Sequence, residues 1–218
     1  FLLVISQLWR FMMSKVLVIK AHPYGADKSK TVKVLSEFME TYRTKNSNDE
    51  ITELDLYRDF IPEINKDILD GWGALANGAE FSSLNDAQQK DIARINELTQ
   101  QFLDTDKLVI ANPLWNLGLP SKLKNWLDTI CVAGKTFKYT DHGPVGLATG
   151  KNAVHIQSAG GNYAGHDFAT QYISGLLTFL GVTTVQKIAI EGIDYAPERH
   201  DEIMSAAITD AKQIAEKF

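Results

Sequence analysis

A short segment near the N-terminus places two hydroxyl side chains and a cation where a helix is predicted to begin. Ser29 and Thr31 flank Lys30, and an amphipathic helix follows with apolar residues at helical spacing. The backbone N–H groups and partial positive charge of a helix N-terminus can hold a phosphate group. The alternative is that Ser29 only caps the helix, a contribution of about 1 kcal/mol.

A second candidate segment follows the apolar run 108–111, and its side chains are unusual for a surface loop. It contains Leu114, Trp115, Asn116 and Leu117, between two prolines that keep the backbone out of regular structure. A planar ligand that stacks on these side chains and accepts hydrogen bonds from loop amides would explain them. The alternative is that they close the end of a sheet.

A third segment contains Ser158, Ala159, Gly160 and Gly161. The two glycines would let the backbone approach a ligand closely. The alternative is a plain flexible connection.

The elements that must position these segments alternate between strand and helix. Predicted strands cover residues 16–19, 50–56, 108–111, 153–156 and 185–190, and predicted helices cover 29–42, 86–104, 119–132, 168–180 and 198–218. This rhythm predicts an α/β fold with a five-stranded parallel sheet and helices on both faces. Ligands of such sheets bind beyond the carboxyl ends of the strands, so the loops after strands one, three and four are the places to search.

Two further regions are predicted with less regular structure. Residues 136–144 indicate a short hairpin, while residues 63–80 show no clear period. We find no linker, repeat or low-complexity tract, so residues 13–218 are predicted to form a single domain.

Composition and standard motifs exclude several classes of function. The 218 residues include 22 basic and 27 acidic side chains, a net charge of −5, which argues against nucleic acid as a partner. The one cysteine fits a reducing cytoplasm, and the five histidines include no pair at the spacing of helical metal ligands, so no metal site is expected. Gly134-Lys135-Thr136 lacks the upstream glycine of a phosphate-binding loop, since Thr129 stands in its place.

The first twelve residues are strongly apolar, but they are too few to span a bilayer and no membrane association is expected. Met13 looks like a natural start, so residues 1–12 are interpreted as an unexplained N-terminal extension, either translated upstream sequence or a gene-calling artefact. The alternative is a real apolar arm that packs on the surface or on a partner.

Several segments between Met13 and Phe218, taken in their order and spacing, resemble the FMN-dependent NADH:azoreductases, within the flavodoxin-like NAD(P)H:quinone reductases. The segments that carry the resemblance are Ala21-His22-Pro23, Ser29 with Thr31, 112–117, 122–125, 133–140, Gly143-Pro144 and 158–161.

The resemblance implies a flavodoxin-like fold and a homodimer that binds one FMN per subunit at its interface. Ser29, Lys30 and Thr31 would hold the FMN phosphate, with His22 nearby. The isoalloxazine would be lined by Leu114, Trp115, Asn116 and Leu117, and its pyrimidine side by Ser158, Ala159, Gly160 and Gly161. Tyr139 would lie near the substrate.

Two positions depart from the family pattern. Members often carry an aromatic residue where this chain has Leu117 and an arginine where it has Ala159. The missing cation at residue 159 would change substrate or nicotinamide preference without removing FMN.

The implied activity is electron transfer from NADH or NADPH to quinones and aromatic azo compounds in a ping-pong cycle at flavin N5. Such chemistry belongs to the flavin, so no catalytic side chain is assigned. The alternative is a non-enzymatic, flavodoxin-like electron carrier. A carrier usually needs a strongly acidic docking face, and a net charge of −5 is mild for that role.

Overall fold

The computed structural model describes residues 13–218, so the predictions about residues 1–12 concern a segment outside the described residues. Five strands form one parallel sheet, which confirms the predicted architecture. They are β1 (Lys15–Lys20), β2 (Glu50–Asp55), β3 (Lys107–Pro113), β6 (Asn152–Ala159) and β7 (Thr184–Glu191). Their spatial order is β2-β1-β3-β6-β7. The predicted hairpin is formed by β4 (Phe137–Thr140) and β5 (Gly143–Gly146), which pair antiparallel outside the main sheet.

Helices cover both faces of the sheet. Those in residues 13–218 are α1 (Lys30–Lys45), α2 (Lys66–Ala76), α3 (Asp86–Leu103), α4 (Ser121–Thr129), α5 (Phe168–Leu180) and α6 (His200–Ala215). None of the described helices combines the length and the apolar character needed to cross a membrane.

The sheet has an apolar core on each face, because alternate residues of a strand point to opposite faces. These two cores hold the helical layers against the sheet. On one face, Val16, Val18 and Val109 pack against side chains of α1 and α6. On the other face, Leu17 and Leu108 pack against α3, α4 and α5. The central strands are buried on both faces, which explains why their sequences are continuous apolar runs rather than alternating ones.

Helix α2 is the main element that the sequence pattern did not predict. It has only two buried residues, Ile68 and Gly71. Ile68, Trp72 and Leu75 do stand at helical spacing, but Gly71 and Gly73 are poor helix formers and hide this pattern in the sequence. Its start is nevertheless encoded, because the Asn65 side chain accepts a hydrogen bond from the Ile68 amide as an N-cap.

The predicted helix over 119–132 is shorter in the structure. It ends at Thr129, and Cys131 lies beyond it, partly buried against the core beside α4. Burial raises the pKa of the Cys131 thiol to about 11, which keeps it protonated and unreactive at neutral pH.

Candidate functional site

The strand order creates a crevice at the carboxyl ends of β1 and β3. After β1 the chain moves outward to β2, and it then returns to place β3 on the opposite side of β1. Loops that leave β1 and β3 therefore diverge, which opens the position where ligands of such sheets bind. All three predicted segments lie at this edge of the sheet.

The first segment forms the N-terminus of α1. Ser29 is buried, and its Oγ accepts a hydrogen bond of 3.2 Å from the Val32 amide, so the predicted N-cap exists. The amides of Lys30 and Thr31 have no acceptor among the residues that the structure describes. The first turn carries no acidic residue, and the Lys30 side chain is exposed. This helix end therefore offers two amide donors and a cation to an anion.

The second segment folds into a two-residue turn between Trp115 and Gly118. The Trp115 amide donates to the Gly118 carbonyl at 3.0 Å, and the Gly118 amide donates back at 2.9 Å. Asn116 and Leu117 between them have φ values of 49° and 62°, the pattern of a type I′ turn. We call residues Trp115–Gly118 the ring-binding turn.

The tip of the ring-binding turn directs two donors and an apolar side chain outward. Within residues 13–218, the amides of Asn116 and Leu117 donate to no acceptor. Asn tolerates the left-handed region, but Leu117 adopts it at a cost of about 1–2 kcal/mol and is 50% exposed. Strain combined with an exposed apolar side chain is typical of a site that contacts a ligand.

Aromatic neighbours hold Trp115 in place. Its ring lies 5.5 Å from the His22 ring and 6.5 Å from the Tyr57 ring, measured between centroids. Burial and the nearby Lys20 charge lower the pKa of His22, and its Nδ1 accepts a hydrogen bond from the Tyr24 amide. His22 is therefore a neutral ring that orients Trp115.

The third segment is joined to the other two by direct hydrogen bonds. The Thr31 and Ser158 hydroxyl oxygens lie 2.6 Å apart, which connects the helix end to the end of β6. The Leu114 amide donates to the Ser158 carbonyl at 2.7 Å, which connects β6 to the ring-binding turn. Ser158 thus ties together all three segments that the sequence singled out.

A cavity of about 180 Å³ lies where the segments meet. We call it the loop cavity; its lining is Lys30, Pro113, Leu114, Trp115, Ser158, Ala159, Gly160 and Asp194. The structure therefore brings residues of all three predicted segments around one space. Tyr139 is not part of this lining; it lies on the hairpin, 75% exposed, with its ring 5.5 Å from that of Phe137.

Asp194 is the residue of the loop cavity that sequence reasoning missed. Its amide donates to the Gly160 carbonyl at 3.0 Å, and its exposed carboxylate occupies the position where a Cβ of residue 160 would stand. Asp194 follows β7, the fifth strand of the sheet, whose loop was not among those searched. All five parallel strands end at one edge, and that is the signal that could have found it.

Comparison with known proteins places this geometry in a family. A model of proteins with a flavodoxin-like fold matches residues 14–215. The chain belongs to this flavodoxin-like family.

Relatives within the flavodoxin-like family carry informative names. An FMN-dependent NADH:quinone oxidoreductase of Geobacillus kaustophilus (strain HTA426) is 42% identical over 211 residues, covering 94% of this chain and 100% of the relative. A protein of the same name from Bacillus pumilus (strain SAFR-032) is 40% identical over 215 residues, with the same coverage. These relatives confirm the resemblance stated from the sequence.

Solved structures agree with this assignment. An FMN-dependent NADH-azoreductase from Bacillus anthracis str. Ames Ancestor, crystallised in complex with FMN, superposes with a TM-score of 0.88 at 34% identity, covering 94% of this chain and 99% of that one. An azoreductase from Bacillus anthracis str. Sterne superposes with a TM-score of 0.87, also at 34% identity, over 94% of this chain and 100% of that one. The predicted flavodoxin-like fold is confirmed.

Proposed function

We propose that this protein is an FMN-dependent oxidoreductase that passes electrons from NADH to quinones and aromatic azo compounds in a ping-pong cycle. The observation that carries the proposal is the convergence of three loops on the loop cavity, where the described residues leave two pairs of backbone amides without acceptors. One pair is at the start of α1 and the other at the ring-binding turn. Relatives named FMN-dependent NADH:quinone oxidoreductases support the choice of FMN, NADH and quinones.

The residues present fit FMN at both of its ends. At the phosphate end, Lys30 would supply a cation, and the amides of Lys30 and Thr31 would donate to phosphate oxygens. The Ser29 hydroxyl can accept from Val32 and still donate its own proton, so its capping role leaves it available to the phosphate. The capping and phosphate-binding interpretations of Ser29 are therefore compatible.

At the ring end, the flat flavin would lie against the ring-binding turn. Leu114, Trp115 and Leu117 would supply apolar contact, while the amides of Asn116 and Leu117 would donate to the N5 and O4 edge. Ser158, Ala159, Gly160 and Gly161 would border the pyrimidine side. The two glycines let the side chains of Asp194 and Tyr163 pack directly on this backbone.

The protein's part in the reaction is to bind, orient and stabilise. When bound, FMN supplies the capacity to accept a hydride and pass on two electrons. The amides of Asn116 and Leu117 would stabilise negative charge on the ring edge, and the turn already holds them in place for this role. No side chain is required as a nucleophile, and we assign none.

The acceptors are proposed from the apolar surface near the cavity. Leu117 is half exposed and Trp115 is 41% exposed, so a flat aromatic acceptor would find apolar contact there. Tyr139 would contribute from the hairpin. The azo class is supported by the azoreductase structures, although cleavage of an azo bond by this protein is our proposal.

Further parts of the proposal concern the assembly. We propose a homodimer, which the exposed apolar side chains of Leu117, Tyr139 and Phe168 support because a second subunit would cover such groups.

We also propose a cytoplasmic location and NADH as the donor. Sedimentation of the purified protein tests the dimer, and paired assays with NADH and NADPH test the donor. The electron-carrier alternative is not favoured, since the relatives are named as oxidoreductases.

A direct experiment tests the function. The purified protein is expected to show the visible absorbance of FMN and to oxidise NADH when menadione is added. A protein that neither binds FMN nor oxidises NADH would refute the proposal.

A second experiment tests the phosphate assignment. Replacing Ser29 and Thr31 with alanine together is expected to weaken FMN binding about tenfold or more. A hydrogen bond from the Ser29 hydroxyl to the charged phosphate would contribute about 1.5–3 kcal/mol, and loss of the Thr31–Ser158 hydrogen bond would loosen the helix end that presents the amides. Ser36→Ala is the matched control, since Ser36 is an exposed hydroxyl on the same helix that bonds only to the Val32 carbonyl. Equal FMN affinity in the double variant and the control would show that the phosphate lies elsewhere.

A further inference from the structure

A group of polar side chains is buried beneath the loop cavity, in a layer that is otherwise apolar. Asn112 of β3 and His155 and Gln157 of β6 belong to it, and none of the three is more than 2% exposed. Thr170 of α5 and Lys187 of β7, which are only partly buried, complete what we call the buried polar cluster. The functional residues described above do not include any of these five.

Asn112 is held in one orientation by three hydrogen bonds. Its Nδ2 donates to the Pro113 carbonyl at 3.0 Å and to Gln157 Oε1 at 3.3 Å. Its Oδ1 lies 2.8 Å from His155 Nε2. Since Oδ1 can only accept, the proton of this last bond belongs to His155, and both amide hydrogens of Asn112 are used. Asn112 therefore cannot flip or rotate without losing hydrogen bonds in a buried place.

The buried polar cluster continues to the surface through α5 and β7. Gln157 Nε2 donates to Thr170 Oγ1 at 3.3 Å, and Lys187 Nζ donates to the same oxygen at 2.8 Å. Lys187 Nζ also lies 3.4 Å from an oxygen of Asp167, the N-cap of α5. These contacts anchor Gln157, and through it Asn112, to two further elements.

Stability alone does not account for such an arrangement. Apolar side chains of similar size would fill the space without the desolvation cost of amide, imidazole and ammonium groups. What a satisfied polar network adds is one defined geometry, because each group accepts only a few positions of its partners. The fixed point nearest the site is the Pro113 carbonyl, two residues before the ring-binding turn.

We propose that Asn112 is a positioning residue: by holding the Pro113 carbonyl, it sets the direction in which the ring-binding turn presents its amides to the flavin. The proposal rests on the proposed function. Loss of the Asn112 amide would release the backbone before Trp115, and the donors of Asn116 and Leu117 would no longer meet the ring edge at the best angle. Hydrogen bonds weaken steeply when they are misaligned, so FMN binding and the FMN potential would both change.

The test replaces Asn112 with leucine, which has a similar shape and makes no hydrogen bonds. FMN is removed from the purified protein and titrated back, and the midpoint potential of bound FMN is measured. We expect the dissociation constant of FMN to rise at least tenfold. If the reduced form loses tenfold more affinity than the oxidised form, the potential shifts by about 30 mV, since that is the value of a tenfold change for a two-electron couple.

A matched control separates positioning from general destabilisation. Thr99 is fully buried in α3, and its Oγ1 donates to the Thr129 and Ile95 carbonyls. Thr99 is not part of the loop-cavity lining. Thr99→Val is therefore expected to lower the free energy of unfolding. Its FMN dissociation constant should stay within twofold of the wild-type value, and the midpoint potential of bound FMN should not shift.

Each outcome decides the proposal. If Asn112→Leu does not fold, Gln157→Met takes its place; it removes one support of Asn112, and at least a threefold rise in the FMN dissociation constant is expected. A folded variant with the affinity and potential of the Thr99→Val protein would overturn the positioning role. A wild-type protein that binds no FMN would instead overturn the proposed function, and the inference with it.

Discussion

Protonation of His155 links folding stability to pH, and the size of the effect follows from the structure. Burial, with a smaller contribution from Lys187, lowers the pKa of His155 to about 3. The pKa of a histidine in the unfolded chain is about 6.5. Below pH 6.5 the unfolded state therefore binds a proton that the folded state does not, so stability must fall as the pH decreases.

The magnitude comes from the two pKa values. Between pH 7 and pH 5 the linkage amounts to about 2 kcal/mol, and the result is the same for any folded pKa below about 4. Asp167 does not contribute in this range. Burial would raise its pKa, but hydrogen bonds from Thr170 outweigh burial and lower the pKa to about 2, so it stays ionised. The free energy of unfolding is expected to decrease further as the pH falls towards 3.

The assay compares urea unfolding of the wild type and of His155→Gln at pH 7 and pH 5. Glutamine can still donate to Asn112 Oδ1, but it does not titrate. Protein and FMN concentrations are held constant, because ligand and subunit binding shift the apparent stability. Between pH 7 and pH 5, the free energy of unfolding is expected to decrease by about 2 kcal/mol less in the variant than in the wild type.

Replacement of an exposed histidine provides the control. His142 lies exposed in the turn of the hairpin, and His142→Gln is expected to follow the wild-type pH dependence. If His155→Gln also follows the wild type, then His155 is not held neutral in the folded protein. The hydrogen bond from His155 Nε2 to Asn112 Oδ1 would stand in either case, because a protonated imidazole also carries a proton on Nε2.

Three further predictions concern the loop cavity and the ring-binding turn. Gly160→Ala would place a Cβ on the Asp194 carboxylate, but this exposed side chain can rotate away, so a loss of at most about 1 kcal/mol is expected in thermal unfolding. Gly175→Ala, which meets nothing within 4 Å on a helix, should be neutral or stabilising. Leu117→Gly removes the strain of a left-handed leucine, so the variant should unfold no more easily than the wild type despite its smaller apolar surface. A decrease of more than about 1 kcal/mol in the free energy of unfolding would contradict the strain argument. Asp194→Asn removes a negative charge from the cavity lining. The kcat/KM for a sulfonated, negatively charged quinone should therefore rise about threefold or more relative to that for an uncharged quinone. An unchanged ratio of the two kcat/KM values would show that acceptors do not approach this carboxylate.

Much of the fold could be predicted because it is encoded in local patterns. The apolar runs of β1 and β3 are long enough to identify buried strands, and the alternation of strands with amphipathic helices indicates a parallel sheet. Helix α2 was missed for a physical reason. Ile68, Trp72 and Leu75 stand at helical spacing, but Gly71 and Gly73 between them are poor helix formers, so local propensity argues against the helix that the Asn65 cap begins.

The candidate site was predicted in part because chemistry and position coincide at strand ends. Ser29, Trp115 and Gly160 each attract attention from residue type alone, and the parallel sheet brings their loops to one edge. Asp194 and Tyr57 are ordinary in sequence. They contact the site only because β7 ends at the same edge and the loop after β2 passes beside Trp115.

The sequence by itself determined the layers, the strands and the three loops, because burial periodicity and turn chemistry depend on neighbouring residues. Only the tertiary structure decided which polar groups meet. Asn112 and Gln157 are 45 residues apart, and Thr31 and Ser158 are 127 apart, yet each pair is joined by a hydrogen bond. Such a bond requires a donor and an acceptor atom from two distant segments to lie about 3 Å apart, and no pattern among neighbouring residues determines that distance.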